Sequence, residues 1–429
     1  MTRGRPLTFF LHCVWRTPRS PRSTTPRRAP RFRATSIIEP VTDLETPVAK
    51  PPRAGALRRA APALLGYAGV RALGLVVLAA WSAANGKSAH TLLTARWDAL
   101  WYTRVADLGY GWEVRLPNGD VHSNLAFFPL LPWLERLGSA LTPLSSADAG
   151  LLVSTAASLA AAWGIFAVAE HVYGRRAGVC AVLVWAVLPI GVVQSMAYSE
   201  SLFTALAAWS LYAVLTGRWI TAGLLAALAG LTRPVGVAVV AAVWVTAVMS
   251  FVRDRSAPGP DGAPRWRRAL GMLLAPLGAA GYVLWVGRRT GKGPLGYLDV
   301  QAGWRNGFDG GYAFARFVAD KFTSFPSALA GVGLIVGVAL VIWLYVTCVR
   351  QGQPLPLLVY SGIVTALALC ASSYFGSKPR LLLPAFPLLL PLALALSRLR
   401  TPRSAAVLGG VAAASAVYGA FWLNGSGPP

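Results

Sequence analysis

Long apolar runs separated by short polar segments occupy the chain from Pro62 almost to its end. Most runs have about 16 to 24 residues, close to the ~20 that an α-helix needs to cross the hydrocarbon core of a bilayer. Eleven such runs cover residues 62–84, 149–171, 177–196, 200–216, 219–232, 235–252, 269–287, 327–348, 354–373, 380–397 and 404–423. The pattern predicts an all-α polytopic membrane protein with about eleven transmembrane helices.

The amino-acid composition agrees with this fold class and indicates which partners the protein has. The chain is 55% hydrophobic and 13% charged, with a mean hydropathy of +0.52, as expected of a multi-pass membrane protein. Its net charge of +24 would suggest nucleic acid in a soluble protein, but in a membrane protein the placement of charge is more informative. We therefore expect membrane lipids, and no nucleic acid, as partners.

The placement of charge predicts the orientation. With the N-terminus in the cytoplasm, the inner segments carry 25 basic and 6 acidic residues, whereas the outer segments carry 14 basic and 10 acidic residues. This asymmetry follows the positive-inside rule. We predict a multi-pass protein of the cell membrane whose two long hydrophilic loops, 85–148 and 288–326, are extracytoplasmic, together with the short connections 195–201, 231–236 and 373–380.

The N-terminal region differs from the rest. Residues 1–60 carry thirteen Arg and Lys residues and many prolines, which predicts a disordered basic cytoplasmic tail. Residues 61–425 are predicted to form one transmembrane domain. Its connections contain no P-loop and no Gly-rich dinucleotide fingerprint, so a globular nucleotide-binding domain is not expected.

The stretch "RWDALWYTRVADLGYGW" at 96–112 is unusually charged and aromatic for a segment next to a membrane span. At helical spacing one apolar stripe is predicted, formed by Trp97, Trp101, Val105 and Leu108. Asp98 and Tyr102 would lie on the adjoining face, with Asp107 about half a turn away from Asp98. The stretch is therefore an amphipathic helix, followed by a second at 125–137, and a simple interfacial belt explains the pattern as well as a site does.

Four quoted segments together resemble one family. "RWDALWYTRVADLGY", "LAFFPLLP", "YSESLF" and "TRPVG" are similar to the PIG-V mannosyltransferases of the glycosyltransferase-C superfamily, over about residues 62–400. The resemblance implies a GT-C-like fold, a polyprenyl-phosphate-mannose donor and an active site on the non-cytoplasmic face. It also implies an essential carboxylate in the first outer loop, at Asp98. High Ala and Arg content favours a bacterial member, whose acceptor would be an envelope glycan, lipid or protein.

The implied donor defines the chemistry that the residues must perform. A lipid phosphate leaves as a stable anion, so inverting transfer needs one base, Asp98, to accept the proton of the acceptor hydroxyl. The departing phosphate needs cations, for which Arg233, Arg380 and Lys378 are the candidates, with Arg288 and Arg289 as rivals. Simple snorkelling to lipid headgroups is the alternative role for each cation.

Further residues are candidates on weaker grounds. Glu200 opens an apolar run, where a carboxylate is costly unless it faces a cavity or a partner, and it is the second catalytic candidate. Arg96 could bind substrate or form an ion pair with Asp98. The remaining candidates for substrate binding are the aromatic or amide side chains Trp97, Tyr102, Tyr198, Gln301 and Trp304.

The predicted enzyme needs no cofactor and no metal, because neither paired aspartates nor metal-ligand spacing is present. A related transferase with another sugar or a protein acceptor is the main rival. A lipid or solute transporter is the second rival, but transporters usually show an internal repeat, which the chain lacks.

Overall fold

In the computed structural model the chain is described over residues 53–256, 264–372, 374–425 and 427. The greater part of the predicted tail, residues 1–60, lies outside these ranges, as do residues 257–263. The described ranges contain eighteen α-helices: α1 (Arg53–Ala84), α2 (Ala89–Thr94), α3 (Asp98–Leu108), α4 (Leu130–Leu141), α5 (Ser146–Tyr173), α6 (Arg175–Ala186), α7 (Ser199–Leu215), α8 (Trp219–Gly230), α9 (Val237–Ser256), α10 (Arg265–Leu274), α11 (Leu277–Thr290), α12 (Gly296–Gly303), α13 (Tyr312–Asp320), α14 (Ser327–Arg350), α15 (Leu355–Cys370), α16 (Lys378–Leu382), α17 (Leu390–Arg398) and α18 (Thr401–Asn424).

The all-α polytopic class is confirmed. Among the described residues, six helices are long and apolar enough to span a bilayer: Gly55–Ala84, Ser146–Tyr173, Pro234–Arg255, Arg265–Thr290, Ser327–Arg350 and Thr401–Asn424. A pair bent by 75°, Phe375–Leu382 with Phe386–Arg398, makes a seventh if it counts as one span. Three apolar helices, α7, α8 and α15, are shorter than a full span. The predicted number of eleven spans is therefore not confirmed, although each predicted run contains helix at the expected place.

Prolines account for the broken spans. Pro189 follows the end of α6, Pro234 follows α8, and Pro276 separates α10 from α11. Proline cannot donate a backbone hydrogen bond, and it disfavours helical geometry in the residue before it. The predicted runs 177–196 and 269–287 are consequently interrupted at Pro189 and Pro276, although α10 and α11 together still form one full span.

The first helix begins earlier than predicted. Residues 53–60 were expected to belong to the tail, but α1 starts at Arg53 and continues through Pro62. The segment is rich in Ala, Leu and Arg, which are among the best helix formers, so the membrane span extends as a helix beyond its apolar part.

The two long loops lie at the same end of the bundle. The first contains α2, α3, a hairpin of β1 (Glu113–Arg115) with β2 (Val121–Ser123), and α4. The second contains α12, β3 (Gly307–Phe308) and α13, and β3 pairs with β4 (Ala371–Ser372), which follows α15. This pairing brings the second loop next to the short connection at 371–380.

The core consists of one large cluster and one small one. The large cluster is built from aliphatic and aromatic residues, mainly of α1, α5 to α9 and α15, with members from α2, α3, α14, α17 and α18. The small cluster packs Leu125 and Phe128 of the first loop against Tyr282, Val286 and Tyr297. The first loop is therefore held on the bundle by a core of its own.

A candidate active site at one end of the bundle

Two acids and two arginines form a continuous series of ion pairs. Arg233 Nη1 lies 2.5 Å from Glu200 Oε1, and Arg380 Nε lies 3.3 Å from the same oxygen. Arg380 Nη1 then lies 2.7 Å from Asp98 Oδ2. The Glu200 side chain is only 1% exposed, whereas that of Asp98 is 26% exposed. Asp98 is thus the acid of the series that a second molecule can reach.

Local structure explains why these four side chains meet. Asp98 is the first residue of α3, and Glu200 lies in the first turn of α7, where the helix dipole favours negative charge. Arg233 stands in extended backbone between α8 and Pro234, and Arg380 follows Pro379 in α16. Each side chain comes from the interrupted end of a helix, and all four interruptions lie at the same end of the bundle.

Neutral side chains complete the surroundings of the acids. The hydroxyls of Tyr102 and Ser199 are hydrogen-bonded at 2.7 Å, and Arg233 donates to Ser199 Oγ at 3.2 Å. The Tyr198 ring lies 5.1 Å from the Arg380 guanidinium, within cation–π range. Burial raises the pKa of Tyr102, so its phenol keeps the proton that it shares with Ser199. Ser199 was not singled out from the sequence, although it lies inside the "YSESLF" segment.

Three tyrosine hydroxyls hold the segment 125–127 of the first loop. Tyr110 donates to Phe127 O at 2.8 Å, and Tyr282 donates to both Leu125 O and Phe127 O. Tyr297 donates to Ala126 O at 3.3 Å. The Phe127 ring then packs edge-on against Tyr102 at 5.2 Å. The tyrosines therefore position the wall of the site without touching its charges, and no sequence motif indicated this function.

Gln301 and Trp304 connect the second loop to the first. Gln301 donates to the Tyr297 hydroxyl and to Ala126 O. Trp304 donates to Ser123 O at 3.0 Å, and the His122 ring stacks on its face at 4.0 Å. Burial against this ring lowers the pKa of His122. Their predicted contact with substrate stays a prediction, because the contacts described are with protein.

Arg96, a predicted substrate-binding residue, has partners away from the ion-pair series. Arg96 donates to the carbonyls of Leu423 and Gly425 at the end of α18, and its guanidinium covers the Trp97 ring at 4.0 Å. The guanidinium that pairs with Asp98 in the described residues is that of Arg380. The proposed Arg96–Asp98 pair is therefore corrected: Arg96 ties the first loop to the last helix.

Lys378 also turns away from the ion-pair series. Its ammonium donates to Ala368 O and Ala371 O at 2.8 Å, and it lies over the rings of Phe314 and Phe375. Those carbonyls belong to the C-terminal end of α15, where unpaired acceptors need a donor. The geometry favours a capping function over phosphate binding.

The predicted apolar stripe on 96–112 is wrong. Trp97 precedes α3 and has φ of 49°, outside helical geometry. Val105 is buried, and Leu108 is 73% exposed, so the two do not share an environment. Trp101 packs on Phe127 with rings nearly parallel at 5.5 Å. The helix is held by contacts on several sides, because the hairpin and α4 fold over it.

An apolar cavity of about 520 Å³ adjoins the site. Its walls include the rings of Tyr110, Trp133, Tyr282 and Trp285, together with Leu231, which precedes Arg233 by two positions. Trp133 and Trp285 are 54% and 40% exposed, so the cavity is open at the surface of the protein. Such a volume falls in the range of small-molecule sites.

Metal binding has no support in the described part of the chain. There, no three side chains of His, Cys, Asp or Glu are grouped so that they could hold an ion. The prediction of a metal-free and cofactor-free site stays a prediction.

The fold and the site together define a multi-pass helical membrane protein with a shielded charge network at one end. Residues 124–257 match the family model described as dolichyl-phosphate-mannose-protein mannosyltransferase. The matched segment runs from the tyrosine-held part of the first loop through Glu200 and Arg233 to the end of α9. Curated proteins give no match.

Among solved structures, the chain is similar to ArnT from Cupriavidus metallidurans bound to undecaprenyl phosphate, with 19% identity and a TM-score of 0.48. It is also similar to the archaeal oligosaccharyltransferase AglB from Archaeoglobus fulgidus, in complex with an inhibitory peptide and a dolichol-phosphate, with 12% identity and a TM-score of 0.43. The matches cover 79% and 85% of this chain, but 61% and 56% of those chains. The chain thus spans about three fifths of the solved structures it matches.

Proposed function

We propose that the protein is an integral membrane glycosyltransferase that transfers mannose from a polyprenyl-phosphate-mannose donor to an extracytoplasmic acceptor, a lipid or an envelope glycan. Transfer inverts the anomeric carbon and uses Asp98 as the single base. The observation that carries this proposal is the ion-pair series Arg233–Glu200–Arg380–Asp98, in which a reachable carboxylate stands beside two arginines.

The arginines suit a departing phosphate. Arg380 uses Nε and Nη1 in its ion pairs, and Arg233 uses Nη1 for Glu200 and Ser199. The N–H groups on Nη2 of both residues have no partner among the described residues, so they are available to phosphate oxygens. Guanidinium donors match such oxygens in pairs. Glu200 contacts both arginines and is shielded from solvent, which favours a function as their counter-ion over its predicted contact with the acceptor.

The reaction then balances with the residues present. The acceptor oxygen attacks the anomeric carbon while its proton passes to Asp98 Oδ1 or Oδ2. The bond between that carbon and the phosphate oxygen breaks, and its electron pair leaves with the phosphate toward Arg233 and Arg380. No general acid is needed, because the polyprenyl phosphate that is released from the phosphodiester donor is a stable anion.

The apolar cavity supports a lipid-linked donor. It lies beside Leu231 and therefore next to the residues that precede Arg233. An isoprenoid chain is apolar and unsaturated, and aromatic walls such as Tyr282 and Trp285 provide apolar contact area for it. A phosphate held by Arg233 would place the first isoprene units at this opening.

A protein acceptor is the second candidate. It is favoured by one observation, the match of residues 124–257 to a family described as transferring mannose from dolichyl phosphate to protein. Both candidates share the donor and the base, and they differ only in which hydroxyl reaches Asp98. The extracytoplasmic location of the site is likewise inferred, from the excess of basic residues on the opposite segments.

The proposal is tested with the full chain in membranes that receive radiolabelled polyprenyl-phosphate-mannose. We expect label to move into a lipid or glycan fraction. Asp98→Asn keeps the size of the side chain but removes the base, so transfer should fall by about 10²–10⁴.

Asp107→Asn is the matched control, because Asp107 lies on the same helix and accepts a hydrogen bond from Ser146 away from the ion-pair series. It should keep transfer near the wild-type rate. Label in a protein fraction would select the second candidate acceptor. Transfer that survives in Asp98→Asn would exclude Asp98 as the base, and the absence of any mannose transfer would exclude the function.

A further inference from the structure

An arginine lies in the middle of the first membrane-spanning helix. Arg71 is the nineteenth of the 32 residues of α1, and an ionisable residue at this depth is costly unless it has a specific partner. No carboxylate pairs with it in the described part of the chain. Its Nη1 donates to Gly191 O and its Nη2 donates to Ala186 O. Ala186 is the last residue of α6, and Gly191 lies in the break between α6 and α7.

This break is a buried stretch without regular α-helix. Between Ala186, the last residue of α6, and Ser199, the first of α7, the chain forms turns and one short 3₁₀ segment, Gly191–Ser195. Irregular backbone at membrane depth persists only where the protein satisfies its polar groups. Some of its carbonyls accept from backbone N–H groups, such as Ile190 O from Val193 N, and the others need side-chain donors.

Three neutral side chains each donate a hydrogen bond to one carbonyl in or next to the break. Gln194 donates to Trp185 O at 2.8 Å, Ser415 donates to Leu188 O at 2.7 Å, and Ser154 donates to Tyr198 O at 3.0 Å. Each of these neutral groups serves one carbonyl. Arg71 donates to two carbonyls, one at the end of α6 and one in the middle of the break. Because its guanidinium is charged, these hydrogen bonds are the strongest side-chain contacts of the segment.

The backbone of the break packs closely around the Arg71 guanidinium. A Cβ atom at Gly191 would stand 2.8 Å from Ala186 O and 2.9 Å from Arg71 Nη2, so only glycine leaves room for the guanidinium. Arg71 also lies over the Tyr67 ring at 5.9 Å, and Tyr67 stacks on Trp185 at 5.5 Å. The guanidinium is thereby held at the end of α6.

We propose that Arg71 is a positioning residue for the active site. By tying Ala186 and Gly191 to α1, it sets the course of the break and hence the place of Tyr198, Ser199 and Glu200, which follow directly. It touches no substrate and acts through the backbone. The consequence for catalysis rests on the proposed function, whereas the consequence for the break does not.

Hydrogen–deuterium exchange of the purified full chain tests the structural part. Arg71→Met keeps an apolar side chain of similar length but loses both donors, so the amides of 187–198 should exchange about tenfold faster or more, while those of α8 do not change. In Arg71→Lys the ammonium can donate to one of the two carbonyls, so the exchange rate of these amides should lie between those of the wild type and Arg71→Met. Gly191→Ala should resemble Arg71→Met because its methyl group displaces the guanidinium.

Val76→Met is the matched control, since Val76 lies on the same helix and is 66% exposed. It should behave as the wild type. Unchanged exchange of 187–198 in Arg71→Met, or an equal increase along the whole chain in all three variants, overturns the proposal. If Arg71→Met does not fold, the proposal is decided by Arg71→Lys and Gly191→Ala, in which the exchange of amides 187–198 is again compared with that of α8.

The catalytic part is read from mannose transfer, expressed per molecule that binds polyprenyl phosphate. We expect kcat of Arg71→Met to fall by about ten- to a hundredfold, with partial rescue in Arg71→Lys and little change in the KM of either substrate, because small misplacement of reacting groups costs rate more than binding. An unchanged kcat contradicts the positioning function. If the wild type transfers no mannose, the proposed function fails, and the exchange comparison still decides whether Arg71 sets the break.

Discussion

Glu200 contacts both arginines of the site through one oxygen, Oε1, although its side chain is nearly inaccessible. Burying a carboxylate is costly unless opposite charges compensate, and removing one member leaves the others uncompensated. The four charges of Arg233, Glu200, Arg380 and Asp98 therefore behave as a unit. Within it, exposure separates the functions: the reachable acid is suited to proton transfer and the hidden acid to holding the cations.

Glu200→Gln tests this separation. The change leaves the two arginines without their shared counter-ion, so the site becomes more positive but its cations are less fixed. We expect kcat for mannose transfer to fall by about tenfold or more, while the KM of the donor does not rise, because an anionic phosphate still meets both cations. Steady-state kinetics with varied donor checks this. A raised donor KM with unchanged kcat would show that Glu200 contributes to binding alone.

A second buried acid, Glu135, lies outside the site. It is fully buried in α4, neither of its oxygens has a hydrogen-bond partner in the described residues, and it packs against Gly150 of α5. Burial, and then the nearby Asp107 carboxylate, raise the pKa of Glu135 well above its ordinary value of 4.5. The folded protein therefore holds a proton that the unfolded chain releases.

Thermal stability should depend on pH through Glu135. Between pH 4.5 and its raised pKa in the folded state, Glu135 binds a proton that the unfolded chain has released, so its stabilising effect is complete below pH 4.5 and is lost as pH rises through the folded pKa. Glu135→Gln cannot ionise and should lessen the fall in Tm between pH 5 and pH 8. Glu113→Gln, at an exposed strand position, is the control. Parallel pH profiles for the wild type and Glu135→Gln would refute the assignment.

At the scale of elements, the first loop is an ordered assembly and not a flexible connection. Its segment 125–127 accepts hydrogen bonds from tyrosines of the loop itself, of α11 and of α12. Phe127 transmits this placement to Tyr102, whose hydroxyl meets Ser199 at the start of α7. The helix that carries Asp98 is thus fixed to the second loop and to the bundle at once.

Tyr282→Phe removes a hydroxyl that serves two carbonyls, Leu125 O and Phe127 O. The hydroxyl has one proton, which the two carbonyls share, so a net contribution of about 0.5–1.5 kcal/mol for one hydrogen bond predicts that local opening of this segment becomes easier by about the same amount. Hydrogen exchange of residues 124–128 measures the change. Tyr312→Phe, 70% exposed, is the matched control and should have no effect. Equal exchange in both variants would mean that the tyrosines do not hold the loop.

For the whole molecule, the apolar cavity beside Leu231 and the charge network are the two regions that the proposed donor would occupy. The cavity lies between α4, α8 and α11, and Leu231 in its wall precedes Arg233 by two positions. A donor with a long apolar chain and a phosphate fits both parts. Chain length should therefore affect binding separately from the chemical step.

Gly281→Leu tests the cavity directly. Gly281 lines it, and no atom lies within 4 Å of a Cβ built there, so a leucine projects into the space without a clash. We expect a higher KM for long-chain polyprenyl-phosphate-mannose and little change for a short-chain analogue. Gly69→Leu, on α1 and equally free of neighbours, is the control. An equal KM for both chain lengths would place the isoprenoid chain elsewhere.

The sequence by itself determined the class of the protein and the positions of its membrane helices, because the need to remove some twenty apolar residues from water is a local property of each run. It also indicated Glu200, Arg233 and Arg380, since charged residues at the ends of apolar runs are costly without a function, whereas Asp98, inside the first loop, was indicated by the resemblance to a family. In the sequence, the interruptions of the helices were indicated only by prolines within or between the apolar runs. Their consequence for the number of full spans was not predictable, because it depends on whether neighbouring helices satisfy the freed backbone groups.

Only the tertiary structure decided which charges pair. Arg96 lies two residues from Asp98 in the chain, yet its donors go to the end of α18, and Asp98 is served by Arg380 from the far end of the sequence. Arg71 likewise acquires its partners from α6 and the break that follows. Ion pairs and hydrogen bonds require close approach and aligned donors, and these depend on how the helices pack, which is not a property of any local segment.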